Sequence, residues 1–116
     1  MEAPAPSAAT VGYCPAIRAG KVIHVSGTAA VQEDGAVGPA GDAYAQARRC
    51  LDIIVAALQE LGAGPEHVTR TRMFVRHAAD WEQVGRAHGE RFADVRPATT
   101  MVVGGFIGPV LVVEIQ

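Results

Sequence analysis

Hydrophobic and polar positions alternate from Lys21 to Ser26: Val22, His24 and Ser26 fall on one side of an extended chain, Ile23 and Val25 on the other. Ala16 to Arg18 looks extended as well, and Ala19-Gly20 supplies a turn between the two, so the chain opens on a predicted hairpin. Gly27 ends or bends the second strand, and Thr28 to Gln32 continues as a further short one. Gly35 to Gly41 is too rich in Gly and Pro for regular structure. The period then changes. Between Asp42 and Leu61, the residues Ala47, Cys50, Leu51, Ile54, Leu58 and Leu61 recur at three- and four-residue steps, which predicts a helix capped by Asp42 and closed by Gly62. Val68 to Val75 returns to strand alternation, with Thr69, Thr71, Met73 and Val75 opposite Arg70, Arg72, Phe74 and Arg76. Asp80, with Gln83 at the capping-box position, starts a second helix whose inward stripe is Trp81, Val84, Ala87, His88 and Phe92. Arg96-Pro97 breaks the chain, and Ala98 to Val103 and Val110 to Ile115 read as two closing strands.

Strands, helix, strand, helix and two strands predict an α+β sandwich with both helices on one face of a sheet. Too little chain remains to cover the other face, so its burial against further copies, and hence a homo-oligomer, is expected. The length of 116 residues fits a single domain spanning 1–116, the first eleven residues forming a loose leader. A hydrophobic share of 49% with 19% charged residues is that of a folding chain. Ten Lys and Arg against 12 Asp and Glu leave a net charge of −2, so no global positive field collects phosphate backbones and nucleic acid is not an expected partner. No apolar run approaches the roughly 18 residues of a membrane span, and the first ten residues lack the basic and apolar regions of a secretory signal. A cytoplasmic location without membrane contact is expected. Cys14 and Cys50 read as reduced thiols, although counting alone permits one bridge.

Few motifs for chemistry survive inspection. The residues around Gly20-Lys21 lack the glycine and hydroxyl of a phosphate loop, and Gly62-Ala63-Gly64 follows a helix and meets His67 where a dinucleotide fingerprint needs Gly. The four histidines are scattered without metal-ligand spacing, so no metal is expected. Ser26-Gly27 ends a strand rather than forming a nucleophile elbow, and nothing near Cys14 in sequence would activate its thiol. Arg70, Arg72, Arg76 and His77 concentrate positive charge that would grip an anion or simply line a solvated face. Glu114 stands out, because a carboxylate within Val110 to Ile115 is costly to bury. Burial would raise its pKa and suit it to proton transfer; the alternative is a rim carboxylate paired to an arginine.

Gly12-Tyr13-Cys14-Pro15-Ala16-Ile17, Val25-Ser26-Gly27-Thr28, Gln46-Ala47 through Leu58, Phe74-Val75, Arg96-Pro97-Ala98-Thr99-Thr100 and Val113-Glu114-Ile115, taken in order and spacing, resemble the RidA/YjgF family of reactive intermediate deaminases. The resemblance runs from about Gly12 onward. It implies a RidA/YjgF-like (chorismate mutase-like) fold and a homotrimer whose sheets face the threefold axis, with ligand sites in the clefts between subunits. It also implies hydrolysis of enamines and imines, such as 2-aminoacrylate and its imine tautomer, to a 2-oxo acid and ammonia, without metal or organic cofactor. In such members an arginine directly after Pro-Ala clamps the substrate carboxylate, and a glutamate near the C-terminus positions water or relays protons. Glu114 matches the glutamate. Thr99 stands at the arginine position, and losing a two-pronged charged donor would cost roughly 2 to 4 kcal/mol of substrate binding.

The resemblance further places Tyr13, Ser26, Gly27 and the backbone of Met101 around the cleft. Strand parity offers a replacement anchor: with Leu111, Val113 and Ile115 toward the helices, Val112 and Glu114 face the cleft, and Arg70, Arg72 and Arg76 do likewise, with Arg72 the candidate anchor. For a neutral or bulkier ligand, Thr99 and Thr100 would donate hydroxyl hydrogen bonds while Phe106 and Ile107 line the cleft. The expected function is thus a hydrolase of C=N bonds with Glu114 as the catalytic group. The alternative is a trimer that binds a small metabolite without turning it over. Nucleic-acid cleavage, an activity label carried by some relatives, is disfavoured by the acidic balance and the lack of stacking aromatics.

Overall fold

A computed structural model describes residues 7–116 of the chain. Part of the expected leader is ordered into a short helix, α1 (Ser7–Val11), whereas the leader's residues 1–6 lie outside the described residues. The predicted hairpin follows: β1 (Ala16–Ala19) pairs antiparallel with β2 (Val22–Val25), placing Ala16 opposite Val25 and Ala19 opposite Val22. Gly20 makes the turn at a φ of +62°, where a side chain would be strained. Ile23 and Val25 are half-buried and Val22 and His24 exposed, as the alternation requires.

Four further strands form a separate sheet, so the single sheet expected from sequence is divided between a hairpin and a four-stranded unit. In chain order they are β3 (Thr28–Ala29), β4 (Arg70–Val75), β5 (Ala98–Val103) and β6 (Val113–Ile115), and their spatial order is β3-β6-β4-β5. β4 and β5 are parallel, and β6 runs antiparallel to both its neighbours. The long helix α2 (Ala43–Glu60) precedes β4, and α3 (Trp81–Phe92) crosses from β4 to β5. A parallel pair requires such a crossover.

One face of this sheet meets the helices. Met73, Val75, Val113 and Ile115 are buried there against Ala47, Cys50, Leu51, Ile54 and Leu58 of α2 and Val84, Ala87 and Phe92 of α3. Each large side chain so buried contributes about 1.5 to 3 kcal/mol relative to its exposed state. Asp42 caps α2 by accepting the Ala45 N–H at 2.9 Å, and Gly62 leaves the helix at a φ of +86°, both as expected. Arg18 ties the hairpin to this helix end, donating from Nη1 to the Leu61 carbonyl at 2.8 Å.

The tertiary structure corrects several expectations. β3 stops at Ala29 because the chain folds back on itself: Val31 bridges Val37, and the Gln32 N–H bonds the Ala36 carbonyl at 2.8 Å. β6 starts only at Val113 because the buried Gln46 takes the backbone groups before it. Its Nε2 donates to the Val110 carbonyl at 3.0 Å and its Oε1 accepts the Val112 N–H at 2.9 Å. Val112 consequently leaves the strand alternation and is buried in the core, not on the open face. Asp80 makes no side-chain cap. Ala78–Asp80 is already a 3₁₀ turn, which holds Asp80 at helical φ and ψ, so the capping box with Gln83 does not form. Trp81, expected inward, is 58% exposed at the first position of α3. None of the described helices is long and apolar enough to cross a membrane.

Candidate functional site

Alternation along β6 sets Glu114 on the sheet face away from the helices, between the buried Val113 and Ile115. Its strand neighbours are Ala29 of β3 and Phe74 of β4. The side chain is half-buried, and Gly27 lies directly against it: a Cβ at that position would collide with Oε1. The bend after β2 therefore admits the carboxylate because residue 27 lacks a side chain. Hydrogen bonds fix this bend. Ser26 donates from Oγ to the Cys14 carbonyl at 2.6 Å and from its backbone to the Pro15 carbonyl at 2.9 Å, and Thr28 Oγ1 donates to the Ser26 carbonyl at 2.9 Å. Ser26, Gly27, Cys14 and Glu114 thus come together from opposite ends of the chain, with the exposed Tyr13 next to Cys14.

Arg70, Arg72 and Thr100 share the open face with Glu114, since β4 pairs Phe74 with Glu114 and Arg72 with Thr100. Arg70 donates from Nη2 to Thr100 Oγ1 at 3.2 Å. Arg72 lies diagonally from Glu114, about 7 to 8 Å along the ladder, and the two form no ion pair. Among the described residues the ion pairs are Arg91 with Asp52 and His67 with Glu66. Arg76 does not join the anion-facing group expected from parity. Its Nε donates to the Leu111 carbonyl at 2.9 Å and its Nη2 to the Gly108 carbonyl at 2.7 Å, and the guanidinium sits 5.3 Å from the Phe106 ring centre. Those carbonyls draw it into the loop between β5 and β6.

Thr99 and Met101 lie on the other face. Their register partners are Thr71 and Met73, which point toward the helices, and Met101 packs against the core. Thr99 is therefore two strands from Glu114 and on the opposite side of the sheet. A polar chain, which sequence reading does not reveal, leads inward from it. Thr99 Oγ1 donates to the Pro97 carbonyl at 2.9 Å and lies 2.9 Å from Thr71 Oγ1, which lies 2.8 Å from His88 Nε2. Each hydroxyl has one proton, and the Pro97 carbonyl only accepts, so Thr71 donates to Thr99 and the neutral His88 donates from Nε2 to Thr71. Desolvation lowers the His88 pKa. The signal for this chain was present as Thr71 on the inward parity of β4 and His88 on the inward stripe of α3; it lacked the parallel register that adds Thr99.

The backbone of β5 is also available. Ala98 N–H bonds the Thr69 carbonyl at 3.0 Å and Gly104 N–H bonds the Val75 carbonyl at 2.9 Å, so the intervening alternate positions, Thr99, Met101 and Val103, turn their amides to the free edge. Both cysteines are free. Burial first, and then the charge of Glu114, pushes the Cys50 thiol up to about 12, which keeps it protonated and unreactive.

The family described as Endoribonuclease L-PSP matches residues 2–116. An uncharacterized Streptomyces coelicolor protein is 42% identical over 106 residues, 90% of this chain and 78% of its own length. The 3-aminoacrylate deaminase RutC of Acinetobacter baylyi is 34% identical over 103 residues, 89% of this chain and 82% of its own. Among solved structures, a Mycobacterium tuberculosis member of the YjgF/YER057c/UK114 family superposes with a TM-score of 0.86 at 36% identity, covering 99% of this chain and 92% of that one.

Proposed function

Because the chain belongs to the RidA/YjgF family, matched under the description Endoribonuclease L-PSP, we propose that it hydrolyses the C=N bond of small enamine or imine metabolites, in clefts between the subunits of a homotrimer. The observation that carries this reading is Glu114: a carboxylate on an apolar strand, half-buried against Gly27 and outside every ion pair of the described residues. No arginine of the described residues holds this carboxylate, so its oxygens are left for substrate and water. The deaminase named among the relatives supports the same reaction class.

The chemistry closes with water alone. Glu114 accepts a proton from water as the water oxygen bonds to the carbon of the protonated imine, and the C=N electron pair moves onto nitrogen. Proton return converts the nitrogen to an ammonium leaving group. The carbinol oxygen gives up its proton, the C–N bond breaks, and a carbonyl and ammonia depart. An enamine enters after protonation at its β-carbon, a step the same carboxyl serves. Arg72, on the same face as Glu114, is the proposed anchor for an anionic substrate group lying between them, beside Thr100.

Two observations support assembly of the site from more than one chain. The helix-free sheet face leaves Val102 exposed and Phe74 only half-buried, and the Thr99 and Met101 edge cannot meet Glu114 of its own chain across the sheet. In a trimer, the β5 edge of one subunit would lie beside the Glu114, Tyr13, Ser26 and Gly27 pocket of the next. Thr99 favours a second reading, metabolite binding without turnover, because its single hydroxyl proton is held by Pro97 and cannot clamp a carboxylate as a guanidinium does.

Ammonia release from 3-aminoacrylate and from 2-aminoacrylate generated in situ tests the proposal. Glu114→Gln is expected to lower kcat by roughly 10²-fold or more while the trimer measured by light scattering persists. Equal activity in parent and variant would overturn the role of Glu114. Ligand-dependent thermal stabilisation of the parent without ammonia release would establish the binding reading in its place.

A further inference from the structure

Thr99 is exposed on the helix side of β5, at the edge of the sheet, yet its hydroxyl proton is turned inward. The oxygen donates to the Pro97 carbonyl at 2.9 Å and accepts from Thr71 Oγ1 at 2.9 Å, and the buried Thr71 accepts in turn from His88 Nε2 at 2.8 Å. A hydroxyl has one proton and two lone pairs. The proton and one lone pair are committed within the chain, so what Thr99 Oγ1 presents outward is a single lone pair.

Reversing the chain does not release the proton. With the imidazole proton on Nδ1, His88 Nε2 would accept from Thr71 and Thr71 from Thr99, so the Thr99 proton would again be spent on a buried partner. Turning it outward breaks the bond to the Pro97 carbonyl. Beside this acceptor the edge offers donors, because the Thr99 and Met101 amides turn away from β4. A carboxylate oxygen set against Thr99 Oγ1 meets a lone pair with no proton between them and is desolvated without a bond. A primary carboxamide of the same shape brings an N–H to Oγ1 and its carbonyl oxygen to a backbone N–H.

We infer, on the reading that the β5 edge borders the substrate cleft, that Thr99 sets the specificity of that cleft and takes the neutral carboxamide of a 2-imino or 2-enamino amide in preference to the carboxylate of the corresponding acid. Water then replaces the imine nitrogen by oxygen, the carboxamide is untouched, and a 2-oxo amide and ammonia leave. Arg72, on the opposite face of the sheet, is left to any anionic group elsewhere on the molecule.

The test titrates pyruvamide and pyruvate, the products of the paired imines, into the protein and follows the Met101 amide by NMR. Arg72 is common to every variant, so its contribution cancels when the ratio of the two affinities is compared between them. Thr99→Ser retains the hydroxyl and is expected to keep the parent's preference for pyruvamide. Thr99→Val lowers the ratio by about tenfold, and Thr99→Arg by about a hundredfold through a two-pronged bond to pyruvate. An unchanged ratio in Thr99→Val, a ratio in Thr99→Arg no lower than the parent's, loss of the preference in Thr99→Ser, or a Met101 amide that responds to neither molecule would each overturn the inference. Selective binding of pyruvamide without ammonia release from either aminoacrylate would uphold it and remove the hydrolase reading. Ammonia release with an unchanged ratio would uphold hydrolysis and remove the role of Thr99.

Discussion

On the helix side of β4 and β6, Met73, Val75, Val113 and Ile115 are sealed against α2 and α3; one residue along each strand, Arg72, Phe74 and Glu114 face away from the helices. The same few residues of backbone thus carry a dry, space-filled surface and a charged, partly open one. Because successive side chains point to opposite faces, stability and chemistry are assigned to neighbouring residues with little overlap. The helix face tolerates nothing polar except what is fully bonded, such as Gln46 and the Thr71 hydroxyl. The open face retains a carboxylate without a cation.

Ile115→Ala should test this division most severely. It removes a fully buried side chain from between the sheet and α2 and should cost about 2 to 5 kcal/mol in urea unfolding. Glu114→Gln, one residue away, should stay within about 0.5 kcal/mol of the parent while losing activity. A comparable loss of stability in both would break the division between faces.

Gln46→Leu probes how far a polar group belongs to the dry side. It removes bonds to the Pro39 and Val110 carbonyls and from the Val112 N–H, leaving buried backbone groups unbonded at a cost of about 1 to 3 kcal/mol. Faster exchange of the Val112 amide would report the same loss locally.

His88 adds a pH dependence of defined sign. Its pKa in the folded chain lies below the unfolded value of 6.5, so the unfolded state binds the proton more readily between the two. The contribution is fully present above pH 6.5 and is lost as pH falls through that window toward the lowered folded value. His88→Gln should therefore lose less stability than the parent between pH 7.5 and 5.5, by paired urea titrations. A steeper acid loss in the variant would contradict the burial of His88.

The smallest contrast lies between the two helix starts. Asp42→Ala should cost about 1 kcal/mol because its carboxylate bonds the Ala45 amide, and Asp80→Ala less than about 0.5 kcal/mol because it bonds none. Equal effects would mean that Asp80 acts through the helix dipole instead.

Much of the fold was legible because it follows local rules. The hairpin, the α2 stripe from Ala47 to Leu58 and the alternation through Thr71, Met73 and Val75 each need only a period and a turn residue. Glu114 was equally visible, as a carboxylate where burial disfavours one. The misses share a different cause. Val112 and the late start of β6 depend on Gln46, which is 66 positions away in sequence; Arg76 is drawn off by carbonyls of a loop, and Trp81 is turned outward by a 3₁₀ turn that displaces the cap.

By itself, the sequence determined the order and type of the main elements, most of the residues that form the core and the acidic residue of the open face. The family followed from the same pattern, because periodicity and short motifs are written in adjacent positions. Which strands pair, and in what register, was decided only in three dimensions. That pairing set Thr99 and Glu114 on opposite faces and linked Thr99 through Thr71 to His88. Register is a contact between distant segments, fixed by how the two helices pack on one face, and no local spacing encodes it.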